Sequence, residues 1–213
     1  MALIIPHKFR FLPGSFKSQE FNLLDVGAGS HSATKTQSIF PKCNYYGIDI
    51  TKEYENDEND FKAMKGFYQM DLTKLQFDEI PDSFFDVIIM SHIIEHLFNG
   101  DLVIEGLVKK LKKGGKIYIE YPGEKSTKLP SMKRTLNFYD DPTHVRIYSV
   151  PEISKVLENN HFTILKKGTR RYWPYIVLLP ITIVTEFIKY KFIPGGVFWD
   201  LMGFAEFLYA EKK

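Results

Sequence analysis

Short apolar runs alternate with longer amphipathic or polar stretches from residue 21 to the end of the chain. Runs of this length that lie between helical patterns are typical of buried strands. The pattern predicts strands over residues 21–26, 44–50, 66–71, 84–90, 116–121, 161–168 and 205–212. Strands and helices that alternate in this way form a parallel sheet covered on both faces, so we expect a three-layer α/β/α fold.

Helices are predicted by apolar spacing and by signals at their ends, over residues 32–40, 101–113 and 150–160. Asp101 is placed to cap or to open the second of these helices, and Gly114 and Gly115 are placed to end it. Ser149 is placed to cap the third. The acidic segment 53–60 is predicted to be a solvated loop or the start of a helix.

The chain is predicted to form one domain over residues 1–213, with residues 1–20 as an N-terminal extension. Residues 171–203 form an apolar, aromatic insertion before the last strand. Its longest stretch without a charged residue is shorter than the roughly 20 apolar residues that cross a bilayer. Three interpretations of the insertion stay open: a lid or internal packing, a homodimer surface, and a peripheral membrane contact.

Composition narrows the classes of function. Lys and Arg number 28 against 26 Asp and Glu, so the net charge of +2 argues against binding nucleic acid through bulk positive charge. The single cysteine, Cys43, excludes an intramolecular disulfide and a cysteine-rich zinc site. The apolar run at residues 2–5 is too short for a secretory signal. We therefore expect a cytoplasmic protein, with peripheral membrane contact as an open alternative.

Acids follow the predicted strands where a doubly wound sheet binds its ligand. Asp25 lies beside a glycine turn, Gly27 to Gly29, and Asp49 ends the second strand at the spacing typical of a ribose-binding acid. Asp71 ends the third strand, where a side chain can reach an adenine amino group. A nicotinamide cofactor is disfavoured because position 32 is serine, whereas that fingerprint requires a third glycine there.

The ordered motifs LLDVGAGS, YYGID, QMDL, FDVIIMSHIIEHL, LKKGGKIYIEYP and AEFLYAEK resemble those of class I S-adenosylmethionine-dependent methyltransferases. The resemblance covers about residues 20–170 and the final strand. It implies a Rossmann-like, doubly wound, seven-stranded sheet whose last strand, 205–212, is antiparallel. One departure is visible, because His31 occupies the position of the last glycine in the family's D-x-G-x-G-x-G motif.

The resemblance also assigns the cofactor, S-adenosylmethionine, which becomes S-adenosylhomocysteine. The first-strand residues would shape the pocket for the methionine part, the next two acids would hold the ribose and the adenine, and Ser91 would lie beside the sulfonium. The implied cofactor-binding residues are Asp25, Gly27, Ala28, Gly29, Asp49, Ile50, Asp71, Leu72 and Ser91.

Candidate catalytic residues come from the loops over the same edge of the sheet. His92 follows the fourth strand, while His144 and Arg146 lie in the long loop 122–148. His144 is a candidate to take a proton from a hydroxyl acceptor, and Arg146 to hold a carboxylate or phosphate. The alternative is that the charged residues of this loop pair with one another. Glu95-His96 resembles family framework.

A metal is not part of the predicted site, although Asp140, Asp141 and His144 are one possible set of ligands for a divalent cation. The (D/N)-P-P-(Y/F) signature of amino methylation on bases does not occur in the sequence. We expect methyl transfer to a small-molecule, glycan-linked or lipid-linked acceptor, at oxygen. The alternative is a catalytically silent protein that keeps the pocket as a cofactor-binding or scaffolding module.

Overall fold

A computed structural model describes residues 5–213 of the chain. Its seven strands are β1 (Phe21–Val26), β2 (Cys43–Asp49), β3 (Met64–Gln69), β4 (Phe85–Ser91), β5 (Leu111–Pro122), β6 (Phe162–Thr169) and β7 (Ala205–Lys212). They form one sheet in the order β3-β2-β1-β4-β5-β7-β6. The pairs among β1 to β5 are parallel, whereas β7 runs antiparallel between β5 and β6. The predicted sheet with its antiparallel last strand is confirmed.

The α-helices are α1 (Ser32–Ile39), α2 (Glu58–Ala63), α3 (Gly100–Leu107), α4 (Val150–Asn159), α5 (Trp173–Tyr190) and α6 (Trp199–Met202). The Ser149 hydroxyl accepts a hydrogen bond from the Glu152 amide and so caps α4, as predicted. The acidic segment supplies the cap of α2, where Asp57 and Asp60 form a capping box.

Both faces of the sheet are covered. Successive side chains of a strand point to opposite faces, so each strand contributes to two cores. In β4, Ile88 and Met90 pack into a core shared with α3 and α4. Val87 and Ile89 pack into a second core shared with α1 and the N-terminal segment. All four side chains are fully buried. Each contributes about 1.5–3 kcal/mol by burial, so the sheet is stabilised from both sides.

The predicted helix over 101–113 is too long. Helix α3 ends at Leu107, a 3-10 turn covers Val108–Lys110, and Leu111 already begins β5 opposite Phe85. Gly114, with φ +75°, therefore lies within a strand and does not end the helix. The apolar positions that look like one helical stripe extend from the helix to the first residue of the strand. Spacing alone does not show where the helix ends and the strand begins.

The structure also places Asp101 and Asp71. Asn99 occupies the N-cap position of α3, and Asp101 lies in its first turn, so Asp101 opens the helix and does not cap it. Strand β3 covers Met64–Gln69, so Asp71 lies just beyond the strand and caps a short 3-10 turn. Asp71 therefore belongs to a local turn as well as to the edge of the sheet.

The N-terminal segment is part of the domain. Phe9 and Leu12 are buried against Phe21 and Phe40 in the second core. The apolar run at 2–5 lies outside the described residues except for Ile5, which packs against the same core. Residues 5–20 thus contribute, together with α1, to one of the layers that cover the sheet.

The insertion at 171–203 divides into two parts. Helix α5 has no buried residue. By contrast, Trp199 and Phe198 pack around the buried Phe204 beside the sheet. Within residues 5–213, no helix combines the length and the apolar character that crossing a membrane requires. The second part of the insertion therefore packs internally, whereas the interpretations of α5 as a lid, a homodimer surface or a membrane contact stay open.

Candidate functional site

Three strand ends lie side by side at the carboxyl edge of the sheet. In the pairing register, Val26 of β1 lies opposite both Ile48 of β2 and Met90 of β4. The next residues along these strands are therefore neighbours across the edge: Gly27, Asp49 and Ser91. The chain leaves β1 for β2 on one side and later returns to β4 on the other, so this edge is the switch point at which doubly wound sheets bind ligands.

The glycine turn is held tightly against its surroundings. Gly27 has φ +83°, and a Cβ at this position would lie 3.1 Å from Ile93. A Cβ on Gly29 would lie 2.5 Å from the Tyr54 ring and 2.8 Å from the Tyr54 carbonyl oxygen. The amides of Gly27 and Ala28 both donate to the carbonyl oxygen of Ile48. Side chains are excluded here, so the backbone itself lines the edge.

The structure explains the histidine that replaces the last motif glycine. His31 has φ +56°, a backbone conformation in which histidine is tolerated better than most residues. Its Nδ1 atom lies 2.6 Å from the Asp60 carboxylate, which also accepts from Thr34. Burial raises the pKa of Asp60, but the hydrogen bonds from Thr34, the Asp57 amide and His31 outweigh it and lower the pKa to about 2. The turn is thereby anchored to α2.

Asp25 lies just before the glycine turn and is held by several hydrogen bonds. Its carboxylate is buried and accepts hydrogen bonds from Tyr45 Oη at 2.8 Å and from the Ser32 hydroxyl. Lys8 Nζ lies 3.4 Å from the same oxygen and donates to Ser32 Oγ at 2.9 Å. The direct contact of Asp25 with the methionine part of the cofactor stays a prediction. No signal in the sequence indicates that Lys8 reaches this site.

Asp49 and Ile50 form the part of the edge that suits a nucleoside. Asp49 is half-buried, and burial raises the pKa of its carboxyl group. The carboxylate accepts from the Ile50 amide at 2.7 Å. The Ile50 side chain is 66% exposed, although it is apolar. A carboxylate for ribose hydroxyls next to an uncovered apolar surface for a base fits the nucleoside of S-adenosylmethionine, with the Gly27 backbone alongside.

Asp71 and Leu72 lie at the end of the neighbouring strand. The Asp71 carboxylate accepts from the Thr73 amide at 3.0 Å and from the Thr73 hydroxyl at 2.6 Å. These hydrogen bonds lower the pKa of Asp71. Leu72 is buried in the core. The carboxylate is thus oriented by its own turn, and its contact with adenine stays a prediction.

His92 is held between two carboxylates. Its Nδ1 lies 3.2 Å from Glu95 Oε1 and its Nε2 lies 3.0 Å from Glu120 Oε1. Burial alone lowers the pKa of His92, but the hydrogen bonds to Glu120 and Glu95 outweigh it and raise the pKa to about 9. A ring with this pKa donates from both nitrogens at neutral pH, one to each carboxylate. The place of His92 among the catalytic candidates stays a prediction.

The same charges tie the insertion to the edge of the sheet. Arg170 donates to Glu120 at 2.8 Å and to the two carboxylate oxygens of Asp200 at 2.7 and 3.0 Å. The Trp199 ring packs on His92, with 4.7 Å between the ring centroids. Sequence reasoning missed Glu120, Arg170 and Asp200. The available signal was an acid, Glu120, within the otherwise apolar end of a buried strand.

Arg146 and Asp140 are both occupied by neighbouring residues. Arg146 donates to Asp101 at 2.9 Å and to Glu152 at 2.6 Å, so it links α3 to α4. Both carboxylates lie outside the loop 122–148, so Arg146 does not pair with the loop's own charges, and its role in holding an acceptor stays a prediction. Asp140 accepts from Ser131 and from three backbone amides. The ligand set Asp140, Asp141 and His144 is therefore wrong, because Asp140 is used by its own turn.

His144 lies beside a turn that sequence reasoning assigned to framework. Its Nδ1 donates to the Phe138 carbonyl oxygen at 2.7 Å, and its side chain is buried. Its ring centroid is 4.9 Å from that of His96. The backbone oxygen of Glu95 accepts from the amides of Val145 and Arg146. The loop thus crosses the Glu95-His96 turn and brings His144 to the side of the edge where β4 ends.

Comparisons with known proteins agree with this architecture. A family model described as "Methyltransferase domain" matches residues 4–167, which is more than half of the chain. None of the curated protein sequences matches the chain.

Solved structures share the fold at low identity. A SAM dependent methyltransferase from Archaeoglobus fulgidus is 19% identical, with 92% of this chain and 88% of that chain covered and a TM-score of 0.56. An S-adenosylmethionine dependent methyltransferase from Mesorhizobium loti is 12% identical, with 94% of each chain covered and a TM-score of 0.63. The 1,6-didemethyltoxoflavin-N1-methyltransferase of Burkholderia thailandensis, which has S-adenosylhomocysteine bound, is 13% identical, with 92% and 72% covered and a TM-score of 0.56.

These identities are too low to carry more than the fold. The family match covers most of the sheet, the glycine turn and the strand-end acids. The chain belongs to the methyltransferase domain family, and its fold is that of S-adenosylmethionine-dependent methyltransferases.

Proposed function

We propose that this chain transfers a methyl group to an oxygen atom of a small-molecule or lipid-linked acceptor. The observation that carries the cofactor part is the row of Gly27, Asp49 and Ser91 at one edge, with the uncovered Ile50 beside it. When bound, S-adenosylmethionine supplies a methyl group that is already activated by its sulfonium. The protein then has to position the acceptor and remove its proton where the acceptor is a hydroxyl.

The chain's own residues divide this work. Asp49 holds the ribose, the Gly27–Gly29 backbone approaches the methionine part, and Asp71 with Leu72 contacts the adenine. On the acceptor side, His92 donates to two carboxylates and is fixed in place. His144 donates from Nδ1 to a backbone carbonyl, so its Nε2 keeps a lone pair for the acceptor side. His144 can take the proton that a hydroxyl acceptor loses, and this role supports methylation at oxygen.

Binding of S-adenosylhomocysteine tests the cofactor part. Calorimetry with wild-type protein should show one saturable site. Asp49→Ala should weaken it about 10- to 100-fold, because a hydrogen bond to a charged group contributes about 1.5–3 kcal/mol. The exposed Glu20→Ala variant is the matched control and should bind as wild type does. Unchanged affinity in Asp49→Ala would show that the ribose lies elsewhere.

Helix α5 supports a lipid-linked acceptor. Apolar side chains at helical spacing are each more than half exposed along it: Trp173, Val177, Ile181, Val184 and Ile188. Basic residues collect at its C-terminal end, where Arg134 stacks on Tyr190 at 3.9 Å and Lys189 lies close to the same ring. An apolar stripe bordered by cations suits the surface of an anionic membrane, and we infer that α5 lies on one.

Cosedimentation with anionic liposomes tests this inference. Wild-type protein should bind, and Val177→Glu should bind several-fold less. Gln76→Glu should bind as wild type does, since it adds the same charge at an exposed position near β3, at the opposite edge of the sheet from β6. Sedimentation velocity separates the alternative of a homodimer. A dimer that Val177→Glu dissociates, without any liposome binding by wild type, would replace the membrane by a second copy.

A further inference from the structure

A second group of side chains converges next to the acceptor side. Glu95, His96 and His144 each offer one ligand atom, and these three atoms lie within 4.8 Å of one another. The residues come from two segments that are far apart in sequence. Hydrogen bonds from the amides of Val145 and Arg146 to the Glu95 carbonyl oxygen, at 2.8 and 3.2 Å, hold the two segments together.

The Glu95 carboxylate lacks a partner on one oxygen. The side chain is 1% exposed, and its Oε1 faces His92 Nδ1 at 3.2 Å. Its Oε2 is buried, and no donor among residues 5–213 hydrogen-bonds to it. Leaving a buried charged oxygen without a partner costs more than a typical hydrogen bond contributes. This oxygen is an independent indication that a cation belongs here.

The hydrogen bonds of the two histidines leave a lone pair on the Nε2 atom of each neutral ring. In His144, Nδ1 lies 2.7 Å from the Phe138 carbonyl oxygen, which can only accept, so Nδ1 carries the proton. In His96, Nδ1 lies 2.9 Å from the Thr143 hydroxyl. That hydroxyl donates its own proton to Asp141 at 2.6 Å, so it accepts from His96. Metal-binding histidines in proteins are oriented in this way, by a second hydrogen bond from the other ring nitrogen.

We propose that Glu95, His96 and His144 bind one divalent transition-metal ion. Two imidazoles and one carboxylate suit zinc and its neighbours, whereas calcium and magnesium prefer sites made of oxygen atoms alone. Three protein ligands leave at least one coordination position for a further molecule. The Asp141 carboxylate lies 3.8 Å from His144 Nε2 and balances the charge nearby.

The position of this ion connects it to the proposed function. Glu95 also contacts His92, which directly follows Ser91 at the sheet edge. An ion at Glu95 therefore lies on the acceptor side, where it would polarise an acceptor hydroxyl and lower its pKa. Since the ion would take the Nε2 lone pair of His144, His144 would then act as a ligand and not as the base. This catalytic role rests on the proposed function, whereas binding of the ion does not.

Calorimetry with zinc chloride on EDTA-treated full-length protein tests the proposal. Wild type should bind one Zn²⁺ ion per chain, and magnesium chloride should bind more weakly. His144→Asn and His96→Asn each keep a donor near the Nδ1 position and remove Nε2, so each should weaken Zn²⁺ binding at least about tenfold. His161→Asn is the control and should bind as wild type does. Its φ of +64° is one that asparagine adopts readily.

Several outcomes would overturn the proposal: no stoichiometric Zn²⁺ binding by wild type, tighter binding of Mg²⁺, or unchanged affinity in both triad variants. A loss confined to His31→Asn would place the ion at the other cluster, His31 with Asp57 and Asp60. Thermal unfolding separates ion binding from a structural role of the histidine. Zn²⁺ should raise the Tm of wild type and leave the Tm of His96→Asn unchanged. Titration of the same samples with S-adenosylhomocysteine distinguishes the failure of this proposal from the failure of the cofactor assignment.

Discussion

Replacing Glu120 by Gln should strongly destabilise the domain. The Glu120 carboxylate is buried and accepts hydrogen bonds from Tyr118 Oη, His92 Nε2 and Arg170 Nη1. Glutamine is nearly the same size and keeps one acceptor oxygen. It removes the charge that faces two partly buried cations, and its amide group places N–H donors opposite other donors. The variant therefore isolates the electrostatic contribution of this residue from its packing.

The structure sets the expected magnitude. Removing one partner of a buried ion pair costs about 3–5 kcal/mol, because the remaining charge is left uncompensated. Here both cations keep a second partner, since Arg170 still faces Asp200 and His92 still faces Glu95. We therefore expect the lower end, a loss of about 3 kcal/mol in unfolding free energy. For a domain of this size that loss corresponds to a Tm lower by about 6–12 °C.

Urea denaturation and thermal unfolding followed by circular dichroism measure this loss. Glu211→Gln is the matched control. It removes a partly exposed carboxylate of β7 that pairs with Lys116 of β5, the strand that also carries Glu120. Surface pairs contribute at most about 1 kcal/mol, so the control should change the Tm by only a few degrees. If Glu120→Gln loses no more stability than Glu211→Gln, the charges at the edge do not act as a buried network.

Two further predictions concern the glycine turn and its anchor. The low pKa of Asp60, about 2 against an unfolded value near 4, means that its ionised form stabilises the fold above pH 4 by about 2 kcal/mol, and this contribution is lost as the pH falls through 2. Asp60→Asn should remove that acid-dependent component, and a variant whose Tm falls between pH 4 and 2 as steeply as that of wild type would contradict the assignment. Gly29→Ala should weaken S-adenosylhomocysteine binding about tenfold by forcing the Tyr54 backbone away, whereas Gly14→Ala, where a Cβ meets nothing within 4 Å, should bind normally in the same titration.

The cofactor edge was accessible from the sequence because its residues are defined by local pattern. A glycine turn after an apolar run and an acid after the next run are fixed by strand length and spacing alone. The register then places Gly27 beside Asp49 without further information. Local pattern fails for Asp25, whose partners include Lys8 from a segment that precedes the sheet. Nothing in the order of residues shows where that segment folds back.

The ion pair of Arg170 with Asp200 joins residues that most of the insertion separates in the sequence. Arg170 directly follows β6, and Asp200 lies in α6, with the whole of α5 between them. They meet because β6 and β7 are paired antiparallel, so the two ends of the insertion return to the same edge. The length and aromatic content of the insertion were visible in the sequence. Its division into an exposed helix and a packed segment was not, because both parts are equally apolar.

The proposed ion site shows why the acids nearest to His144 in the sequence are weak candidates as its fellow ligands. Asp140 and His144 are close in the chain, but acids in turns tend to accept from backbone amides of their own turn, as Asp140 does three times. A carboxylate used in this way is not free for a metal. Glu95 keeps one carboxylate oxygen without a hydrogen-bond partner in the described part of the chain. Its turn is closed by backbone hydrogen bonds, so the carboxylate does not cap the turn, and the side chain is buried in the protein. The partner of His144 is therefore a residue that caps nothing, and only the folded chain shows which one that is.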